Sequence, residues 1–157
     1  YRCIVLEGDV ETARDAERLA GKKIHAHQIV TKGACHLSAQ TIYQVLSDQN
    51  LENMNFVFVE NVGNLVCPAE FDIGETCKIA VLSVTEGEDK PLKYPLLFRD
   101  SRAVVLTKMD LIPHLDVDAD MYQKNIRNVN NNIPVYPVSA KTGDGLAKLL
   151  EWLFNLR

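Results

Sequence analysis

Short apolar runs rich in β-branched residues alternate with longer amphipathic stretches along the 157 residues of this chain. Short strands separated by helical stretches are typical of a parallel sheet covered by helices. Most of the runs are apolar without alternation, which indicates strands buried on both faces. The strand candidates are residues 3–7, 24–30, 56–60, 79–84, 103–107 and 134–138. The sequence therefore predicts an α/β fold with a mostly parallel sheet flanked by helices.

Amphipathic stretches between these runs supply the helices. The candidates are residues 11–20, 38–46, 121–129 and 145–156. Asp9 or Thr12 is a cap for the first helix, and Gly21 is a common helix stop. Leucines recur at helical spacing in the last one, so we expect one of its faces to dock on the sheet. Because no repeat or linker divides the chain, we expect one domain over residues 1–157.

Composition excludes several classes of protein. Apolar residues make up 46% and charged residues 24% of the chain, as in globular domains. A net charge of −4 argues against charge-driven nucleic-acid binding. Apolar runs stay short of the ~20 residues of a membrane span, and Asp9 and Glu11 follow the first run too soon for a signal peptide. The cysteines are few and widely spaced, so we expect reduced thiols in a cytoplasmic protein.

Two loops at predicted strand ends carry the most specific pattern. TKMD follows one strand and SAK follows another, and ligands of open α/β sheets gather at the carboxyl ends of strands. The candidate ligand-binding residues are Thr107, Lys108, Asp110, Ser139, Ala140 and Lys141. An aspartate can accept hydrogen bonds from N1–H and the exocyclic amine of guanine, which adenine does not offer, so Asp110 would select guanine.

A third loop, ENVGN, follows the apolar run FVFV. A carboxylate at the end of a strand, such as Glu60, can hold Mg²⁺ directly or through water. Gly63 lets a backbone N–H approach a γ-phosphate closely. Two roles are open for Asp9, which either joins the water shell of the metal or caps the following helix.

Cys35 and His36 are adjacent, and Cys67 lies four residues beyond Gly63. Neighbouring residues of a strand point to opposite faces, so Cys35 and His36 can share an ion only from a loop. Two thiolates and an imidazole suit Zn²⁺ or Ni²⁺. From spacing alone, the alternative of buried structural cysteines stays open.

Taken together, these segments resemble a known family almost end to end. TKMD followed by SAKTGDG looks like the guanine-recognition pair of P-loop GTPases. With EGDVETARDAERL, KGACH, ENVGNLVCP and SVTEGEDKPLKYP, the chain resembles the GTPase domain of the nickel-incorporation accessory proteins of [NiFe]-hydrogenase, a SIMIBI-type P-loop family. ENVGNLVCP is highly specific to that family. The related urease nickel-insertion GTPases share the plan and match less well around the cysteines.

The resemblance implies a function and a set of ligands. It implies GTP and GDP with Mg²⁺ near Glu60, Gly63 and Asp9, and it assigns the metal ligands to Cys35, His36 and Cys67. It also implies a homodimer, a nickel-delivery accessory protein and the hydrogenase large-subunit precursor as partners. Whether the apolar residues after Asp110, including Leu111 and Leu115, serve that dimer or begin a helix tucked against the sheet stays open.

The phosphate-binding motif G-x-x-x-x-G-K-[ST] of such GTPases does not occur in the 157 residues. Gly21-Lys22-Lys23 ends a predicted helix and has no glycine five residues before it. In the resembled family the motif lies just upstream of the segment that Tyr1 begins. We therefore expect a P-loop type domain truncated at its N-terminus, which as written binds guanine nucleotides poorly and hydrolyses them hardly at all.

Two other functions compete with a GTP-dependent metallochaperone. One is a nucleotide-independent zinc- or nickel-binding dimerisation module. The other is a hydrolase using Cys35 and His36, which fares worst because neighbouring residues rarely reach the geometry of a nucleophile and its base.

Overall fold

The computed structural model describes residues 1–9, 24–31 and 33–156. They form two compact units, residues 1–75 and 76–157, each of which is described by itself. Each unit contains a three-stranded parallel sheet flanked by helices, which confirms the predicted α/β class. The helix predicted over residues 11–20, with its Thr12 cap and Gly21 stop, lies outside the described residues. The single domain over residues 1–157 stays a prediction.

The first unit has β1 at the centre of its sheet, with β2 and β3 on either side. Its elements are β1 (Cys3–Asp9), β2 (His25–Val30), α1 (Ala39–Ser47), β3 (Phe56–Glu60) and α2 (Cys67–Glu70). Both pairings are parallel, and they place Glu7 opposite Glu60 of β3 and Gln28 of β2. The carboxyl ends of these strands therefore lie at one edge of the sheet.

One face of this sheet is closed by α1. Ile4 and Leu6 of β1 are buried against Ile42 of α1 and Leu37. Ser38 caps the helix, since its Oγ accepts the backbone N–H of Thr41 at 3.1 Å. The cap and the apolar stripe explain why the helix begins within one residue of the predicted start.

The second unit has the same plan, with β5 at the centre of its sheet. Its elements are β4 (Lys78–Ser83), α3 (Lys90–Lys93), α4 (Pro95–Asp100), β5 (Ser101–Thr107), a 3₁₀ helix (Met109–His114), α5 (Ala119–Val129), β6 (Val135–Pro137) and α6 (Leu146–Phe154). Strand β5 is almost wholly buried, as its unbroken apolar run predicts. Tyr122 and Ile126 of α5 are buried as well.

Three short helices were not predicted from sequence. Helices α2, α3 and α4 each have proline in the first turn, where the missing N–H costs no helical hydrogen bond. Helices α2 and α3 span four residues and α4 spans six, too few for an apolar period to be read. The prolines that mark the starts of these helices are Pro68, Pro91 and Pro95.

Helix α6 forms where the leucine pattern predicts it, but its packing is looser than expected. The ring of Trp152 contacts Tyr136 of β6 at 5.5 Å between centroids. None of its side chains is fully buried, and Leu150 and Phe154 are exposed. In the described part of the chain, helices long and apolar enough to cross a bilayer are absent.

Candidate nucleotide groove and cysteine cluster

Strands β5 and β6 end side by side, and this brings the TKMD and SAK loops together. The backbone N–H of Val138 donates to the carbonyl of Leu106 at 2.8 Å, and that of Met109 donates to Val138 at 3.2 Å. Lys108, which lies between Leu106 and Met109 in the chain, adopts a left-handed backbone conformation with a φ of 61°. This residue turns the chain from the strand into the 3₁₀ helix that carries Asp110.

Asp110 is held by Ser139. The Ser139 hydroxyl donates to Asp110 Oδ1 at 2.6 Å, and the Lys141 ammonium lies 4.0 Å from Oδ2. The hydrogen bond from Ser139 is the main cause that lowers the pKa of Asp110 below its ordinary value, with the charge of Lys141 as a smaller cause. The side chain is therefore a carboxylate at neutral pH, which is the form that accepts hydrogen bonds.

Ser139 itself is 1% exposed. Its hydroxyl also accepts the backbone N–H of Thr142 at 3.2 Å, so one buried group joins Asp110 to the SAK loop. The sequence predicts that Ser139 is a ligand-binding residue. In the structure its side chain positions Asp110 and bonds to the backbone of the SAK loop.

A groove of about 440 Å³ opens beside Asp110. Its lining residues are Thr107, Lys108, Asp110, Leu111, Val138, Ala140 and Lys141. Five of the six predicted nucleotide-binding residues therefore line one groove, and the sixth, Ser139, lies behind it. Apolar walls and one carboxylate suit a planar base that presents two donors.

Gly145 supports this loop, and sequence analysis did not single it out. Its φ is 75°, and a Cβ at this position would lie 2.1 Å from the carbonyl oxygen of Pro137. Only glycine fits both the left-handed backbone and the close approach to β6. The signal was present in the sequence as the last glycine of SAKTGDG.

Leu111, Ile112 and Leu115 are half-buried. Leu111 also lines the groove, so these residues are not wholly part of the core. Their part in a dimer stays a prediction.

In the first unit, Cys35 and His36 lie in the irregular segment between β2 and α1. The Thr31 hydroxyl donates to the carbonyl of Ala34 at 2.8 Å, and Gly33 has a φ of 97°, so the chain turns sharply before the cysteine. Cys35 Sγ lies 3.6 Å from Nδ1 of His36. The two side chains therefore contact each other from a loop, which is the arrangement that a shared ion requires of neighbouring residues.

Cys67 is the first residue of α2. The thiol of Cys35 is the main cause that raises the pKa of the Cys67 thiol. Cys35 therefore contacts His36 and lies close enough to Cys67 to affect its ionisation. All four cysteines of the chain, including Cys3 and Cys77, are free thiols.

His36 is held by an aromatic neighbour. Its imidazole stacks on the ring of Phe71 with 3.9 Å between centroids and 1° between planes. Among residues 1–9, 24–31 and 33–156, however, groups of three or more His, Cys, Asp and Glu side chains placed to hold a metal ion are absent. The three predicted ligands are therefore not gathered around one point in the structure.

The ENVGN loop joins the same edge of the first unit. Glu60 is the last residue of β3 and is exposed, and the carbonyl of Asp9, at the end of β1, accepts the N–H of Thr31 at 2.9 Å. Asn61 Oδ1 accepts the backbone N–H groups of Leu37 at 2.8 Å and Val62 at 2.9 Å. Asp9 and Glu60 thus lie at the edge where the loop begins.

Gly63 is exposed, and a Cβ added there would meet no described atom within 4 Å. Crowding by neighbouring atoms therefore does not explain why position 63 is glycine. Close approach of its backbone N–H to a ligand would explain it.

Comparisons with known proteins show the family of the chain. Residues 1–137 match the model of the CobW/HypB/UreG nucleotide-binding domain. The chain is 46% identical over 155 residues to the hydrogenase maturation factor HypB of Escherichia coli and 47% identical over 153 residues to that of Azotobacter vinelandii. These alignments cover 99% and 98% of this chain and 53% and 50% of the relatives, so the chain spans about half their length.

A solved structure has the same fold. The crystal structure of HypB from Helicobacter pylori in complex with nickel superposes with a TM-score of 0.90 at 37% identity. The match covers 98% of this chain and 74% of that one. On sequence and fold together, the chain belongs to the CobW/HypB/UreG family of nucleotide-binding domains.

Proposed function

We propose that this chain is the guanine-nucleotide-dependent domain of a metallochaperone that assists nickel insertion into [NiFe]-hydrogenase. The observation that carries the proposal is the continuity of one loop. Glu60 and Gly63, which suit Mg²⁺ and a γ-phosphate, are followed in the same loop by Cys67, one of the three predicted metal ligands. Similarity to hydrogenase maturation factors over 98–99% of the chain supports the cargo and the pathway.

Guanine selection is assigned to the groove of the second unit. The Asp110 carboxylate accepts from N1–H and the exocyclic amine, and Ser139 holds it in place. The stem of Lys108 lies along the base while its ammonium stays in water. The backbone around Ala140 meets the guanine O6.

Hydrolysis is assigned to the carboxyl edge of the first unit. Glu60 and Asp9 are the carboxylates that suit Mg²⁺, which would neutralise phosphate charge when bound. The open surroundings of Gly63 leave room for a phosphate beside its N–H. Because the 157 residues contain no G-x-x-x-x-G-K-[ST], we expect this polypeptide by itself to release phosphate from GTP slowly.

Cys35, His36 and Cys67 are assigned to the metal cargo, with Ni²⁺ or Zn²⁺ bound by two thiolates and one imidazole. A homodimer, a nickel-delivery accessory protein and the hydrogenase large-subunit precursor complete the proposed set of partners. The contact between Cys35 and His36 also fits a hydrolase. The stack of His36 on Phe71 and the identities to maturation factors favour the metal instead.

The rival proposal is a metal-binding module that does not respond to nucleotide. It is favoured by the placement of all three metal ligands within residues 1–75, whereas the guanine groove lies within residues 76–157. Nickel dissociation constants measured with saturating GTP analogue, with GDP and without nucleotide separate the two. We expect the analogue to shift the constant at least about fivefold, and equal constants would support the rival.

A further inference from the structure

The side chain of Asn64 contacts both cysteine-bearing segments of the first unit. Its Nδ2–H donates to the backbone carbonyl of Cys35 at 2.7 Å. Its Oδ1 accepts the backbone N–H of Val66 at 3.0 Å and that of Cys67 at 2.9 Å. One amide therefore joins the segment after β2 to the start of α2.

These hydrogen bonds act on the backbone of the two cysteines themselves. The carbonyl of Cys35 and the N–H of Cys67 are each bonded to the Cα that carries the thiol, so a fixed amide between them limits how far the thiols can separate. Asn64 donates one of these hydrogen bonds and accepts the other two. An amide side chain is therefore needed, because it carries a donor and an acceptor on one planar group.

Asn64 also follows Gly63 directly in the chain. A displacement of the Gly63 loop moves Asn64 and, with it, a hydrogen-bond partner of each cysteine. Asn64 and Cys35 are 29 residues apart in the sequence, so only the fold brings them together.

We propose that Asn64 is a positioning residue for the metal cargo, holding the Cys35 and Cys67 thiols at a separation at which one nickel ion can bind both. The inference rests on the proposed function and adds the group that couples the Gly63 loop to both thiol ligands. Outer hydrogen bonds of this kind commonly tune metal affinity about 10- to 100-fold.

Two substitutions and one control test it in the full chain. Asn64→Ala removes all three hydrogen bonds, and Asn64→Asp keeps the acceptor oxygen but removes the donor to Cys35. Asn50→Ala removes a single local bond, from the backbone N–H of Glu52 to Asn50 Oδ1, in the turn before β3. Circular dichroism and thermal unfolding verify that each variant folds.

Two readouts are taken on each protein. The first is titration with Ni²⁺ alone, followed by the thiolate-to-metal charge-transfer absorption. The second needs no metal and is the equilibrium between the Cys35 and Cys67 thiols and glutathione disulfide. In that exchange one glutathione disulfide is reduced to two glutathione thiols as the two protein thiols form a disulfide, and peptide mapping identifies the pair.

We expect Asn64→Ala to lower both the disulfide equilibrium constant and the nickel affinity at least about tenfold. Asn64→Asp should fall between the wild type and alanine, and Asn50→Ala should stay within about twofold of the wild type. A disulfide constant unchanged in Asn64→Ala would overturn the positioning role. If Asn64→Ala lowers the disulfide constant but the wild-type protein shows no nickel–thiolate absorption, the proposed nickel site is overturned. The restraint by Asn64 is then still supported.

Discussion

The guanine groove and the cysteine cluster hold their functional side chains in different ways. Asp110 is fixed by a buried hydroxyl that is itself bonded to the loop. Cys35 is exposed, and of the other two predicted metal ligands its thiol contacts His36. Base recognition depends on a carboxylate already in place, because a wrong base is rejected only when it leaves a buried polar group without a partner. A cargo ion must enter and leave, which suits an exposed thiol.

The largest expected effect is the loss of guanine selection by the groove. Asp110→Asn replaces one acceptor by an amide donor, which opposes the guanine amine and matches the O2 carbonyl of xanthine. We expect the preference for GDP over xanthosine diphosphate to fall about a thousandfold, as measured by competition for a fluorescent nucleotide. Asp116→Asn, at an exposed carboxylate nearby, is the control and should leave the preference within about twofold. An unchanged preference in Asp110→Asn would refute the assignment of the groove.

The second effect tests the central place of Cys35 in the cluster. Cys35→Ser removes the thiol that contacts His36 and affects the ionisation of Cys67, so nickel affinity should fall about a hundredfold. Cys77→Ser changes a half-buried thiol just before β4 and is the matched control. Equal affinities of the two variants, measured by competition with a chelator, would show that the cluster is not the nickel site.

The third effect concerns the support of the groove. Gly145→Ala introduces a Cβ against the Pro137 carbonyl in a left-handed backbone and should lower the free energy of unfolding by roughly 2–3 kcal/mol. Gly143→Ala shares the left-handed backbone, with a φ of 86°, but its Cβ meets no described atom within 4 Å. It should cost about 1 kcal/mol. Urea unfolding compares the two, and equal costs would mean that the close approach does not matter.

The smallest effect sharpens the role of Ser139. Its hydrogen bond holds the pKa of Asp110 below the ordinary value of about 3.8, so the stabilisation is present above that pH. It is lost as the pH falls through the lowered pKa. In Ser139→Ala the pKa should rise toward the ordinary value, this acid-dependent loss should shrink, and GDP affinity should fall about tenfold.

Titration of the Asp110 carboxyl carbon by NMR measures that pKa directly. Thr142→Ala is the control, because it alters the same loop while leaving the Ser139 hydroxyl in place. A pKa of Asp110 that is the same in Ser139→Ala and the wild type would show that another group holds the carboxylate.

The sequence by itself determined the elements that depend on local pattern. The six apolar runs became strands within a few residues of their predicted bounds. The predicted burial on both faces holds for β5, whereas β2 has one buried residue and β3 has none. The sequence also determined that TKMD and SAK follow strands, and that Cys35 and His36 lie outside regular structure. The helices of four to six residues were not predicted, because so short a segment cannot show the periodic spacing of apolar residues.

Only the tertiary structure decided which side chains meet. Ser139 lies 29 residues from Asp110 and Asn64 lies 29 residues from Cys35, and hydrogen bonds over such separations depend on strand register. The glycine at position 145 is required by the backbone of β6, which no local pattern contains. Composition and periodicity report how each segment is buried, whereas a site depends on distances between segments, which exist only once the strands have paired.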